Sequence, residues 1–122
     1  MSLDIKNLPK KEGIIFYDQE KVMYVVGYKW IAKVAQALSS ETRTKIIDLL
    51  KKGPEGLDEI ADKLGQSKAN VSSQIRKLEE VNIVAPTYQP GARGIKKLVE
   101  LKVKAIVFVL APDEDGGVKE QV

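Results

Sequence analysis

The sequence predicts an α+β fold in which four short helices follow a β-hairpin and lead into a strand-rich C-terminal part. Three observations carry this reading. Between Trp30 and Leu78 apolar residues recur at helical spacing. Before and after that stretch, β-branched and aromatic residues gather in short runs. Glycine or proline punctuates the pattern at Gly53-Pro54, at Gly65 and from Gly91 to Gly94.

Residues 1–12 are polar, include Pro9, and read as a flexible arm. Ile14-Ile15-Phe16-Tyr17 and Val22-Met23-Tyr24-Val25-Val26 flank Asp18-Gln19-Glu20-Lys21, a hairpin turn without glycine; one irregular helix is the alternative. From Trp30 the period changes, and Trp30, Ile31, Val34, Ala35 and Leu38 fall on one helical stripe. Ser39-Ser40 breaks that stripe and offers a hydroxyl cap to a second helix, Glu41 to Lys52, whose apolar face is Ile46, Ile47, Leu49 and Leu50. Gly53-Pro54 stops it. Leu57, Ile60, Ala61 and Leu64 form the next stripe, which Gly65 ends because a left-handed residue costs least as glycine. Ser67 caps a fourth helix, Ser67 to Glu80, that buries Val71, Ile75 and Leu78. Two helices joined by a short glycine-containing turn are the helix-turn-helix signature.

After Asn82 the period is that of strands. Ile83-Val84-Ala85 leads to a tip, Gln89 to Gly94, and the return strand alternates Val99, Leu101 and Val103 with Glu100, Lys102 and Lys104. Strand, tip and strand directly after the recognition helix make a wing. Ala105 to Leu110 is apolar throughout and predicts a buried strand. One winged helix-turn-helix domain is thus expected over residues 13–110, with an N-terminal β-hairpin, a C-terminal strand extension and an acidic disordered tail at 111–122.

At 122 residues the chain is one domain by length. It has neither cysteine nor histidine, which removes disulfides, thiolate metal sites and the commonest acid–base side chain near neutral pH. No metal and no cofactor are expected. No apolar run approaches the roughly 18 residues of a membrane span. The start lacks an export signal, so a cytoplasmic, nucleoid-associated protein is expected. No nucleophile–base pair occurs, and Gly53-Pro54-Glu55-Gly56 is too short for a phosphate-binding loop, so an enzyme is not expected. Glu55, Asp58, Glu59 and Asp62 read as solvent-facing charge and helix-start electrostatics. The formal net charge is +3, and it is unevenly spread: residues 66–104 hold eight basic against three acidic side chains. That segment is the recognition helix and wing, and a basic stripe there suits a polyanion.

In such a fold the second helix enters the major groove of double-stranded DNA, with the polar residues near its N-terminus on base edges. With Val71 at the centre of the buried stripe, Asn70, Ser73 and Lys77 lie on the exposed arc, flanked by Ser72 and Arg76. Ser67, Lys68, Asn70, Ser72, Ser73, Gln74, Arg76 and Lys77 are hydrogen-bonders or cations suited to groove reading. Asn70, Ser73, Lys68 and Gln74 are the expected base readers. Arg43, Arg76, Lys77, Arg93, Lys96 and Lys97 are the expected phosphate contacts. A winged-helix protein–protein module and an architectural, low-specificity DNA-binding protein are the competing readings.

Two stretches add a resemblance. Ala37-Leu38-Ser39-Ser40-Glu41-Thr42-Arg43-Thr44-Lys45-Ile46-Ile47-Asp48-Leu49-Leu50 resembles the "LSDPTRLRILELL" helix of the ArsR-type winged-helix repressors. Residues 59–78, from Glu59-Ile60-Ala61 through Val71-Ser72-Ser73 to Leu78, are similar to that family's "ELAERLGLSQSTVSHHLKVL". The resemblance implies a dimeric DNA-binding transcriptional regulator with contacts at Lys68, Ala69, Ser72 and Ser73. Arg43 matches the family's arginine in the earlier helix, which holds a phosphate or braces the helix. The family's cysteine box is absent, and strand-like Ala105 to Leu110 replaces its C-terminal helix and the metal ligands there. Metal sensing is therefore not implied, the effector is unknown, and the β-rich extension points to an offshoot of the family, archaeal or otherwise. Homodimerisation is expected without its route; the hairpin and the last strand could pair within one chain or across two.

Overall fold

The computed structural model describes residues 4–113. A hairpin of β1 (Gly13–Tyr17) and β2 (Val22–Val26) precedes four helices: α1 (Tyr28–Leu38), α2 (Glu41–Leu50), α3 (Leu57–Leu64) and α4 (Lys68–Glu79). The wing follows as β3 (Val84–Gly91) and β4 (Gly94–Leu101), and β5 (Ala105–Val109) closes the order. In the N-terminal arm, Ile5–Asn7 form one 3-10 turn, with the Asp4 carboxylate accepting from the Lys6 N–H. Most of the expected acidic tail, residues 114–122, lies outside the described residues.

The helix boundaries follow local chemistry. Ser40 Oγ accepts from the Arg43 N–H at 3.3 Å and Ser67 Oγ from the Asn70 N–H at 3.1 Å, each relieving an orphan donor of the first turn. α3 ends where Gly65 takes a left-handed conformation (φ 65°, ψ 35°). α2 stops at Leu50, and Lys51 and Lys52 form the turn after it.

The core joins one face of each helix: Val34 from α1, Ile46 from α2, Ile60 from α3, and Val71, Ile75 and Leu78 from α4. Met23 and Val25 of β2 close it from the hairpin side. α1 departs from the expected stripe. It begins at Tyr28 after Gly27, and the faces it buries are Val34 and Ala37, with Ile31 and Leu38 half-covered. Trp30 and Ala35 face outward, Trp30 being 38% exposed. A three-residue step, Val34 to Ala37, faces the core, which rotates the first turn of the helix onto the rim.

Two strand expectations are also corrected. β5 is an edge strand and not a fully buried one. It pairs parallel to β2 in a sheet of order β1-β2-β5, with Val25 opposite Phe108, so the pairing is made within one chain. One side of β5 packs on the core through Ile106 and Phe108 and Val109 is buried on the other, while Ala105 and Leu110 are exposed. The wing is longer and its tip tighter than expected. β3 and β4 stay in register from Val84 opposite Leu101 to Gly91 opposite Gly94, leaving Ala92 and Arg93 as the turn. Glu55 makes a bridge to Val99 (N–H to O 3.0 Å, and 2.8 Å in return), so the segment after Gly53-Pro54 pins the wing to the start of α3.

Candidate nucleic-acid interface

The surface of α4 is polar where Val71, Ile75 and Leu78 are not. Lys68, Asn70, Arg76 and Lys77 are exposed, as is Ala69, while Ser72, Ser73 and Gln74 are half-buried. The expected arc is therefore present around Asn70, with the serines turned further toward neighbouring elements. Ser67 is exposed and occupied as the helix cap.

The wing stands against one flank of this helix. Ser72, Arg76 and Glu79 of α4 and Lys97 and Val99 of β4 line a common cleft of about 210 Å³, so Arg76 and Lys97 are brought together. Lys77 takes the other flank and lines a cavity of about 280 Å³ with Lys33, Gln36, Arg43 and Glu80. Arg93 projects from the wing tip, exposed.

Two expected contact lysines are held by the acids that open α3. Lys68 Nζ lies 3.2 Å from Asp58, and Lys96 Nζ lies 3.3 Å from Glu59. Both pairs are exposed, where an ion pair is worth at most about 1 kcal/mol, so a stronger anion can displace the carboxylate. The Glu59 carboxyl is held below its ordinary value first by a hydrogen bond from its own backbone N–H and then by Lys96. Gly56, with no Cβ, leaves Glu59 the room to fold back over the helix start. Sequence reading assigned these acids only to solvent and to the helix start.

Arg43, expected to hold a phosphate or to brace the helix, is seen in the bracing role. It is 8% exposed, the one buried charged residue described, and its guanidinium points inward. Nε donates to the Ala37 carbonyl at 2.6 Å, one terminal nitrogen to the Gln36 carbonyl at 3.1 Å, and the other to Gln74 Oε1 at 2.6 Å. It braces the C-terminal end of α1 against α4, where a cation also meets the negative end of the helix dipole. Gln74 is thus engaged from below. Its Nε2 donates to Asn70 Oδ1 at 3.4 Å, Asn70 Nδ2 donates to Gln66 Oε1, and Gln66 Nε2 donates to Thr42 Oγ1 at 3.4 Å.

Gln66 was missed by the sequence reading. The signal was available: Gln66, Asn70 and Gln74 recur every four residues, the spacing that stacks side chains in one row along a helix.

Among the described residues no helix is long and apolar enough to cross a membrane. Among the same residues, no three or more carboxylates gather in a group that could hold a metal ion.

Residues 40–85 match the model of the arsR family of bacterial regulatory proteins. An HTH-type transcriptional regulator of Methanocaldococcus jannaschii is 37% identical over 54 residues, which cover 44% of this chain and 57% of that protein. The chain thus spans a little over half the length of that relative. Three solved structures share the fold. The homodimeric winged helix-turn-helix DNA-binding domain of a Mycobacterium bovis protein superposes with a TM-score of 0.52 at 24% identity, over 59% of this chain and 63% of that one. The transcriptional regulator YodB of B. subtilis, in its reduced form, gives 0.52 at 22% over 58% and 70%. The M. tuberculosis protein Rv0081 gives 0.54 at 22% over 62% and 73%. The winged helix-turn-helix of the α+β class is the fold of this chain.

Proposed function

From the arsR-family helix-turn-helix that residues 40–85 form, we propose that this chain is a transcriptional regulator that binds double-stranded DNA as a homodimer. The observation that carries the reading is the exposed side of α4, free of acids from Lys68 to Lys77 and flanked by a basic wing. α4 lies in the major groove, with Asn70, Lys68 and Ser73 toward base edges and Gln74 behind Asn70. Arg76 and Lys97, sharing one cleft, hold the backbone on the wing side, with Arg93 and Lys96 beyond them. On contact, phosphates replace Asp58 and Glu59 as partners of Lys68 and Lys96. The chain acts by occupying DNA and catalyses nothing; no metal takes part, and it works in the cytoplasm at the nucleoid.

Dimerisation follows the M. bovis neighbour, which is homodimeric. A two-fold dimer presents two copies of α4 to half-sites about 34 Å apart, or a multiple of it, so the operator is a pseudo-palindrome.

The test is a salt titration of binding to the protein's own upstream region and to a random duplex of equal length. Affinity should fall steeply with salt, since each neutralised phosphate releases counterions. It should also favour the upstream region. No binding at low salt would leave a protein-binding module as the reading, and equal affinity for both duplexes would leave an architectural DNA coat.

A further inference from the structure

We propose that Arg43 and Gln74 are positioning residues that fix which way round the amide of Asn70 faces the groove, and so make Asn70 a reader of adenine. The inference rests on the DNA-reading function proposed above and names the base that one residue takes.

A side-chain amide is nearly symmetric in shape, and only its hydrogen-bond partners decide which end is oxygen. A row of amides has no direction of its own. Each can turn over if its neighbours turn with it. Direction must come from a group that can only donate or only accept, and the guanidinium is such a group, since arginine has no acceptor. Arg43 is buried and tied to the Ala37 and Gln36 carbonyls, so it cannot swing away. Its short bond to Gln74 Oε1, 2.6 Å, obliges Gln74 to present Nε2 on its other side. That nitrogen meets Asn70 Oδ1, which obliges Asn70 to present Nδ2 to Gln66 Oε1. The row ends on the Thr42 hydroxyl, which both donates and accepts and therefore imposes nothing.

The polarity thus runs outward from the buried cation through three amides. Asn70, exposed on the first turn of α4, keeps one N–H and one oxygen lone pair unused. An adjacent donor and acceptor match the N7 acceptor and N6 donor of adenine; guanine offers two acceptors at the same edge. Turned over, Asn70 would set its nitrogen against that of Gln74 and its oxygen against that of Gln66.

Two variants separate direction from charge. Gln74→Glu keeps an acceptor for Arg43, now as an ion pair, and has no N–H for Asn70. Gln66→Glu introduces the same charge one turn away on the other side and keeps the acceptor for Asn70. In the free protein, the two side-chain amide protons of Asn70 should give distinct, slowly exchanging NMR signals in the wild type and in Gln66→Glu. They should shift in Gln74→Glu, where the Asn70 amide turns over and its Nδ2 donates to the introduced carboxylate. With DNA, both variants should lose overall affinity alike. Preference for adenine at the position that Asn70→Ala relaxes should drop on the order of tenfold in Gln74→Glu alone. Unchanged Asn70 signals in Gln74→Glu, or equal loss of preference in the two variants, would overturn the proposal. So would wild-type binding with no adenine-favouring position dependent on Asn70, and that result would leave DNA binding itself standing. Absence of binding to any duplex would overturn the function and this inference with it.

Discussion

Arg43 shows how a cation in a helix-turn-helix can direct its guanidinium hydrogen bonds into the fold. The three described hydrogen bonds of its guanidinium go to two backbone carbonyls and to Gln74, so replacing it with an apolar side chain strands acceptors in a buried place. Arg43→Met is expected to lower stability by on the order of 3 kcal/mol, read as the urea midpoint. An unchanged midpoint would mean that the brace contributes nothing. Asn70→Ala, on the exposed surface, should leave the midpoint in place and relax base preference at one position by about 1–3 kcal/mol; an unchanged profile in a binding-site selection would remove it from the readers. Glu59 adds a pH dependence. Its carboxyl titrates below its ordinary value of 4.5 in the folded chain, so the stabilisation it brings is present above that value and lost as pH falls through the lower folded one. In Lys96→Gln the carboxyl should move up toward 4.5, with the bond from its own N–H still holding it lower. A carbon-detected NMR titration of the Glu59 carboxyl reads this directly, and no movement would show that the pair with Lys96 is only nominal.

Among the elements, α4 and the wing divide the labour. α4 is held by Val71, Ile75 and Leu78, all buried, and its exposed residues face outward because those three are fixed. The wing is a two-stranded ribbon whose tip residue, Arg93, is exposed. Arg93→Ala should reduce the slope of log affinity against log salt by about 1.8, one phosphate contact from each protomer of the dimer, with the sequence profile unchanged. A changed profile would make Arg93 a base or groove reader. The helices were legible from sequence because their signals are local: a 3.6-residue period, serine caps at Ser40 and Ser67, and glycine at the left-handed position of Gly65. The ends of the wing were less so. Pro90 read as part of the tip, yet it sits with Pro86 in β3, which pairs on one side along most of its length and tolerates a missing N–H. The register of Glu55 with Val99 has no local signal at all, since it joins residues 44 positions apart by backbone alone.

At the scale of the whole molecule, the second and last described strands clamp the domain. β2 receives β5 in parallel after the entire helical core and wing have intervened, and the Lys104 N–H donates to the Lys21 carbonyl at 2.7 Å where the pairing begins. Ile106 and Phe108 cover the core beside Met23 and Val25. A chain ended after Lys104 should therefore be destabilised by several kcal/mol, of the order of two apolar side chains returned to water. The measurement is the urea midpoint of the truncated chain; an unchanged value would make the extension dispensable to the fold. The sequence by itself determined the order and kind of the elements, the recognition helix and the absence of cysteine and histidine ligands, because periodicity, capping and composition are properties of neighbours along the chain. Tertiary structure alone decided that Arg43 turns inward to Gln74, that Asp58 and Glu59 hold Lys68 and Lys96, and that the last strand lies on the edge of the hairpin. Each of those depends on which distant residues meet, and a side chain that can donate to water, phosphate or a buried carbonyl carries no mark in the sequence of which it will find.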